Sequence, residues 1–309
     1  MLKSKHLIGL ENFPTSDLNK IIDTSFKFKE ILESPERKAI LLKGKTIVNM
    51  FFEDSTRTKI SFTLAEKRLG ADRINFSSST SSVKKGETLK DTIQNIDAMK
   101  IDGAVIRHGH PGSALKLTEY IDGSVINAGD GSHEHPTQAI LDMVTLKEKF
   151  GKIKNLKVGI IGDILNSRVA RSDIFALQKL GAEIVVCGPS TLLPSNAKQL
   201  GVNITHNIDE VLNWCDVVIG LRIQLERMHL GRIPSKREYH SEFGLTYERV
   251  SKLKKDVVIM HPGPMNRGVE IDSKVADSDN AVILDQVLNG VASRMSILYL
   301  LLGDKSEKL

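Results

Sequence analysis

Cysteine and long apolar runs are both scarce in this chain of 309 residues. The two cysteines, Cys187 and Cys215, each stand in or beside an apolar run and neither belongs to a C-x-x-C pair, so both read as buried structural thiols. A structural zinc site needs four ligands at suitable spacing, which the sequence does not supply, and no metal is expected. No stretch approaches the roughly 18 consecutive apolar residues that a membrane span requires, so no membrane partner is expected. The opening MLKSKHLIGLENF lacks the apolar core and small-residue cleavage site of a signal peptide, which makes a cytoplasmic location the expectation. Dense basic runs are missing too. The 43 Lys+Arg against 38 Asp+Glu leave only +5, without the basic stripe or module of a nucleic-acid binder. A small anionic substrate suits that charge better.

What is present is an ordinary globular composition, 40% hydrophobic and 26% charged, in a chain longer than the roughly 100–200 residues of one domain. From residue 46 short β-branched runs alternate with helical patterns: TIVNMFF, a helix through Leu69, RINFS, a helix across residues 87–100, AVIR and SVINAG. Leu89, Ile93, Ile96 and Met99 fall near one face of the second helix, and Gly70 is placed to end the first. A second series follows Phe150-Gly151: KVGIIGD, a helix to Leu180, then EIVVCGP, DVVIGL, DVVIM and AVILD as further strands. Alternation of this kind marks parallel strands joined by crossover helices. The expected fold is therefore α/β, two doubly wound parallel-sheet domains joined by inter-domain helices, with boundaries at 1–149 and 150–309. A helix from Pro136 to Phe150 bridges them, and the apolar helix at about 285–303 packs back on the first domain.

The sharpest local signal is Phe51-Phe52-Glu53-Asp54-Ser55-Thr56-Arg57-Thr58, which leaves an apolar strand and opens a helix. Free N–H groups and the positive dipole end make a helix start an anion site, and here hydroxyls and an arginine add donors. On the physics alone the segment reads equally as a phosphate cradle and as a simple cap with a surface arginine. Arg107 ends the strand AVIR at the carboxyl edge, where ligand crevices form in parallel sheets. His133-Glu134-His135 does not have H-E-x-x-H spacing and is not read as a metal site, with His133 a neutral loop residue. Gly159 and Gly162 lack the third glycine of a dinucleotide fingerprint, so no nicotinamide cofactor is expected, nor any other. Arg168 stands at the start of the following helix, and Arg222 and Gln224 follow DVVIGL. The serine-rich stretch at residues 77–88 and the charged segment from Arg222 to Tyr247 read as loops, the second with room for short helical pieces.

F-x-E-x-S-T-R-T, the K-K-G-E-T of residues 84–88, the H-P-T-Q of 135–138, R-x-Q at 222–224 and H-P-x-P at 261–264 stand in the order found in the aspartate and ornithine transcarbamylase family. The chain resembles that family from about residue 5 to about residue 300. The resemblance implies that Ser55, Thr56, Arg57 and Thr58 hold carbamoyl phosphate, with Arg107 as a further ligand. It implies that His135 hydrogen-bonds the carbonyl oxygen, that Gln138 binds the amino group, and that the backbone near Gly263 and Pro264 contacts the carbamoyl group. Arg168, Arg222, Gln224 and Lys85 are implied as ligands of aspartate. Lys85 and Ser81 are implied to reach into the neighbouring subunit of a homotrimer, with active sites at subunit interfaces. The catalytic group is then Arg57, Thr58, Arg107, His135 and Lys85.

Within the family, lysine after S-T-R-T and H-P-G-P, in place of an arginine and H-C-L-P, resemble the aspartate branch rather than the ornithine one. The implied reaction moves the carbamoyl group of carbamoyl phosphate to L-aspartate, giving N-carbamoyl-L-aspartate and phosphate. That is the committed step of de novo pyrimidine (UMP) biosynthesis. Ornithine as acceptor is the alternative. A regulatory chain or a dihydroorotase partner is left open by the sequence. Pro264-Met265-Asn266-Arg267 is the one visible departure from the family's pattern and resembles a form found in many bacterial aspartate enzymes, and a salt bridge is the expectation for Arg267.

Overall fold

The computed structural model describes residues 1–77, 88–195, 197–224, 233, 235–253, 256–304 and 309. Its contacts divide the chain into two compact units, Met1–Val144 with Leu288–Leu309, and Thr145–Val287. In the first unit the elements run α1 (Thr15–Glu33), β1 (Thr46–Phe51), α2 (Thr56–Leu69), β2 (Asp72–Ser77), α3 (Leu89–Asp97), β3 (Gly103–His108), α4 (Ser113–Leu117) and β4 (Ser124–Asp130). A helix α5 (Pro136–Phe150) contains the unit boundary. The second unit holds β5 (Lys157–Ile161), α6 (Arg168–Lys179), β6 (Glu183–Cys187), β7 (Asn203–Thr205), α7 (Ile208–Trp214), β8 (Val217–Gly220), α8 (Lys236–Phe243), α9 (Tyr247–Ser251), β9 (Val258–Met260) and α10 (Ser273–Ala276). The last helix, α11 (Ile283–Leu302), contains the second boundary.

Both sheets are parallel and doubly wound, with order β2-β1-β3-β4 in the first unit and β7-β6-β5-β8-β9 in the second. The inner strands β1, β3, β5 and β8 are buried along most of their length, as parallel strands covered by helices must be, which explains their apolar runs, whereas the edge strands β2 and β7 are largely exposed. In each sheet the order reverses once. In the first unit the chain steps from β1 outward to β2 and returns to β3 on the other side; in the second, β5 and β8 flank the same reversal. Ligands of such sheets sit outside the carboxyl ends of the strands at that switch point.

Local signals explain the ends of the elements. Gly70 closes α2 in the left-handed region at φ 76°, and a Cβ there would come within 2.8 Å of Ile40. Gly159 in β5 answers to packing instead of to a nucleotide: a Cβ there would overlap Val211 of α7. Cys187 and Cys215 are buried thiols that form no disulfide, and burial pushes the Cys187 thiol up to about 12, so it stays protonated. Within the first unit, residues 288–302 of α11 lie against α1 and α2. The Phe28 and Tyr299 rings meet edge to face at 5.7 Å, and Ser296 Oγ donates to the Ile21 carbonyl at 2.9 Å.

Two expectations fail. AVILD is not a strand: Ala281 makes only a lone parallel bridge to Ile259, and the chain then turns into α11 at Ile283. The fifth strand of that sheet is instead the short edge strand β7. Met99 is 72% exposed, because α3 ends at Asp97 and Lys100 adopts φ 63°, which turns the chain out of the helical face; Ile93 is buried and Ile96 packs partly against the same core.

Inside the first unit Glu66 of α2 is fully buried, with its Oε2 accepting from Asn49 Nδ2 at 2.9 Å. Its Oε1 and the Asn49 Oδ1 have no hydrogen-bond partner, and a proton on the carboxyl supplies a donor where two acceptors lack one. Burial raises the carboxyl from 4.5 to about 7, against the opposing pull of Asn49 and Arg73. Because the folded value is the raised one, this group's contribution to stability is present below pH ~4.5 and is lost as pH rises through about 7. The shift corresponds to about 3 kcal/mol over that window. Glu66→Gln is expected to flatten the loss of thermal stability between pH 5 and pH 8. An unchanged pH dependence of the melting temperature would refute this.

Candidate functional site

The first unit gathers its predicted residues at the carboxyl ends of β1, β3 and β4. Phe51 of β1 pairs with Arg107 of β3, and the Phe52 N–H donates to the Arg107 carbonyl at 2.9 Å, so Arg107 lies one strand over from the segment that opens α2. Ser55 occupies the N-cap position of α2 but makes no side-chain cap bond, and no acidic residue stands in the first turn. Simple capping therefore does not account for Ser55, and the first turn of this 14-residue helix offers its dipole no carboxylate of its own. Thr58 is buried, while Thr56 and Arg57 are exposed at the same helix start.

Arg107 is held from two sides. Its Nη1 donates to the Ala128 carbonyl at 3.2 Å and its Nε lies 3.5 Å from a Glu53 carboxylate oxygen. The register of β3 against β4 shifts between Ile106 and His108, a bulge of the kind that re-aims a side chain at a strand end. Neighbouring His108 tilts against Phe52, ring centres 5.1 Å apart; burial and then His110 lower its pKa, which keeps it neutral.

After β4 a bracing network sets the start of α5. Asp130 is buried and accepts from Gly112 N at 2.7 Å, Asn127 Nδ2 at 2.8 Å and His133 Nδ1 at 3.1 Å. Burial alone would raise this carboxyl, but the His133, Asn127 and Gly112 hydrogen bonds outweigh it and hold it below the usual range. Glu134 accepts from the Leu10 and Glu11 N–H groups at 2.7 and 3.3 Å, which is a structural use of that carboxylate. His133 and Glu134 are thus fastened to different partners, not directed at a common point. His135 and Gln138 follow, both buried, with Thr137 Oγ1 3.5 Å from His135 Nδ1. Gln138 Nε2 donates to both Asp142 oxygens at 3.2 and 3.3 Å, so its Oε1 is the atom left to accept from a ligand.

In the second unit the predicted residues again collect at a switch point. Arg168 is the first residue of α6 and is buried, behind Ser167, whose hydroxyl caps the helix by accepting from Ala170 N at 3.1 Å. The turn before it is fixed by Asp163, which accepts from Asn166 N and Nδ2 at 3.1 and 2.9 Å. Gln224 Nε2, beyond β8, donates to the Asn166 carbonyl at 3.3 Å, joining the exit of β8 to the exit of β5. Arg222, partly buried, stands two residues before it. After β9 comes the 261–264 turn. The Gly263–Pro264 bond is cis, and His261 Nδ1 accepts from Gly263 N at 2.8 Å, which leaves the proton of that ring on Nε2. Arg267 makes the expected salt bridge, with Nη2 2.7 Å from Asp277 Oδ1.

Ser81 and Lys85 lie outside the described residues. Sequence reasoning missed Glu53, Asp142 and Asn166, which hold Arg107, Gln138 and Gln224; only Glu53 stood inside a recognised motif.

Fold and site together define a two-unit α/β ligand-binding protein with hydroxyls and arginines gathered at each sheet reversal. Comparison with known proteins gives that class a family. The family model "Aspartate/ornithine carbamoyltransferase, carbamoyl-P binding domain" matches residues 5–148, and "Aspartate/ornithine carbamoyltransferase, Asp/Orn binding domain" matches residues 154–301. The chain belongs to the aspartate/ornithine carbamoyltransferase family. It is 55% identical over 300 residues to the aspartate carbamoyltransferase catalytic subunit of Christiangramia forsetii, covering 97% of each chain. Among solved structures it is similar to aspartate transcarbamoylase from Trypanosoma cruzi in complex with carbamoyl phosphate, at 30% identity and TM-score 0.90, over 98% of this chain and 97% of that one. Ornithine carbamoyltransferase from Pyrococcus furiosus also superimposes, at 28% identity and TM-score 0.86, over 98% of each.

Proposed function

We propose that this chain transfers the carbamoyl group of carbamoyl phosphate to L-aspartate, releasing N-carbamoyl-L-aspartate and phosphate, a step of pyrimidine biosynthesis. Fold alone does not separate aspartate from ornithine as acceptor, since both kinds of structure superimpose. The observation that carries the choice is the pair Arg168 and Arg222 in a chain more than half identical to an aspartate enzyme. Two guanidiniums complement the two carboxylates of aspartate, whereas the cationic side chain of ornithine would meet like charge.

In this reading Ser55, Thr56, Arg57 and Thr58 bind the phosphate at the start of α2. Arg107, His135 and Thr58 donate toward the carbonyl oxygen, where negative charge develops in the tetrahedral intermediate. Gln138 and the backbone at Gly263 and Pro264 recognise the carbamoyl amino group. The aspartate amine attacks the carbamoyl carbon: its N–C bond forms, the C–O bond to phosphorus breaks, and departing phosphate accepts the amine proton. Positioning and charge supply the rate, with no covalent enzyme intermediate. Lys85 and Ser81 complete the site from a neighbouring subunit of a homotrimer located in the cytoplasm; the K-K-G-E-T loop is the support for that arrangement.

Assays with carbamoyl phosphate and either amine test the acceptor. Aspartate is expected to give product at a kcat/KM at least about a hundredfold above that of ornithine. Equal or greater use of ornithine would overturn the assignment.

A further inference from the structure

Asn266, in the Pro-Met-Asn-Arg segment at 264–267, has no role in the site described above. Its position is fixed three ways within the second unit. The Asn266 backbone N–H donates to Glu270 Oε1 at 2.5 Å, its carbonyl accepts from Val269 N at 3.0 Å, and its side-chain Nδ2 donates to the Ile223 carbonyl at 3.2 Å. Ile223 lies between Arg222 and Gln224. Its side chain is fully buried in an apolar cluster with Leu192, Tyr239 and Val269, so the segment that receives the bond is packed as well as hydrogen-bonded.

Glu270 closes the other end of the same turn. It is only 2% exposed, its Oε1 lies 3.4 Å from His261 Nε2, and its carbonyl accepts from Leu245 N at 3.0 Å. One carboxylate oxygen therefore faces both His261, which holds Gly263 N, and the backbone of Asn266. The 261–266 turn is clamped at its two ends, and the Asn266 side chain links it to the backbone between two predicted aspartate ligands.

We propose that Asn266, set in place by Glu270, is a positioning residue that ties the Gly263–Pro264 turn to the Arg222–Gln224 segment and so fixes the diacid ligands relative to the carbamoyl-recognising turn. This rests on the functional reading above. Asn266 touches no substrate; it acts through Ile223. Removal of the amide lets the 222–224 backbone relax and weakens aspartate binding while leaving the phosphate residues of the other unit untouched. Replacing Glu270 by glutamine keeps an acceptor oxygen for Asn266 N, whereas alanine removes it.

The test is steady-state kinetics on Asn266→Ala, Asn266→Asp, Glu270→Gln, Glu270→Ala and the Asn266→Ala/Glu270→Ala pair, each checked by thermal unfolding. Asn266→Ala is expected to raise the aspartate KM about five- to tenfold, with inhibition by inorganic phosphate unchanged within about twofold. Asn266→Asp, which sets a carboxylate against the Ile223 carbonyl, is expected to be worse. Glu270→Gln is expected to stay within about twofold of the unmodified chain, and Glu270→Ala to reproduce the Asn266→Ala effect without adding to it in the pair. A merely structural role would instead lower the melting temperature and disturb kcat and both substrates together, and that pattern would overturn the proposal. So would an aspartate KM unchanged within twofold in an active Asn266→Ala chain. If the unmodified chain forms no N-carbamoyl-L-aspartate, the functional reading fails first and the link falls with it.

Discussion

Arg57→Ala is expected to fold normally and to lose turnover by about a hundred- to a thousandfold. Arg57 is exposed on the first turn of α2, where the side chain is not part of the core, so the fold has little to lose. The reaction has much to lose. Phosphate departs with its full charge, and a guanidinium at a helix start is a donor that meets it directly; loss of one such preorganised donor typically costs that much in rate. Activity within about tenfold of the unmodified chain would remove Arg57 from the phosphate cradle. The same variant tests the shared site. A chain carrying Lys85→Ala keeps its own Arg57, and a chain carrying Arg57→Ala keeps its Lys85. When the two inactive chains are mixed and reassembled, interfaces that combine the intact Arg57 of one with the intact Lys85 of the other should recover activity. Absence of any recovery would argue that each chain uses its own Lys85.

Arg222→Ala is expected to raise the aspartate KM about thirtyfold or more, with carbamoyl-phosphate affinity kept. Removing one partner of a partly buried carboxylate–guanidinium pair commonly costs ~2–5 kcal/mol, and the exposure of Arg222 argues for the lower end of that range. Arg222→Lys should recover only part of the loss, because an ammonium cannot present the two parallel donors of the fork. The segment is anchored on both sides of Arg222, by Leu221 N donating to the Ile161 carbonyl at 2.8 Å and by Gln224 to Asn166 at 3.3 Å. The change is therefore confined to the side chain. An unaltered KM for aspartate would exclude Arg222 from binding it.

Legibility in the sequence followed the range over which each determinant acts. The opening of α2 was readable because strand exit, hydroxyls and arginine occupy eight consecutive residues. Gly70 and Pro136 were readable as helix punctuation for the same reason. AVILD was not: four apolar residues rich in branched side chains fit a strand and the start of a buried helix equally, and the bridge from Ala281 to Ile259 and the turn into α11 decide between them. The three-residue β7 carries too little periodicity to be seen. Partners of the candidate residues were hidden by distance along the chain. Glu53 reaches Arg107 because β1 and β3 are neighbours, and Asn266 reaches Ile223, 43 positions away in the chain, because the exits of β8 and β9 are. The sequence identifies groups that act with their neighbours in the chain; the sheet order identifies what holds those groups in place.

In the proposed reaction one set of residues neutralises a phosphorylated carbamoyl donor while another holds a dicarboxylate amine. Calorimetric titration with N-phosphonacetyl-L-aspartate, which joins the two substrates in one molecule, tests it most directly. The account predicts saturable binding far tighter than that of phosphate or aspartate alone, lost in both Arg57→Ala and Arg222→Ala. Binding no tighter than that of either fragment, or indifferent to those two substitutions, would contradict it.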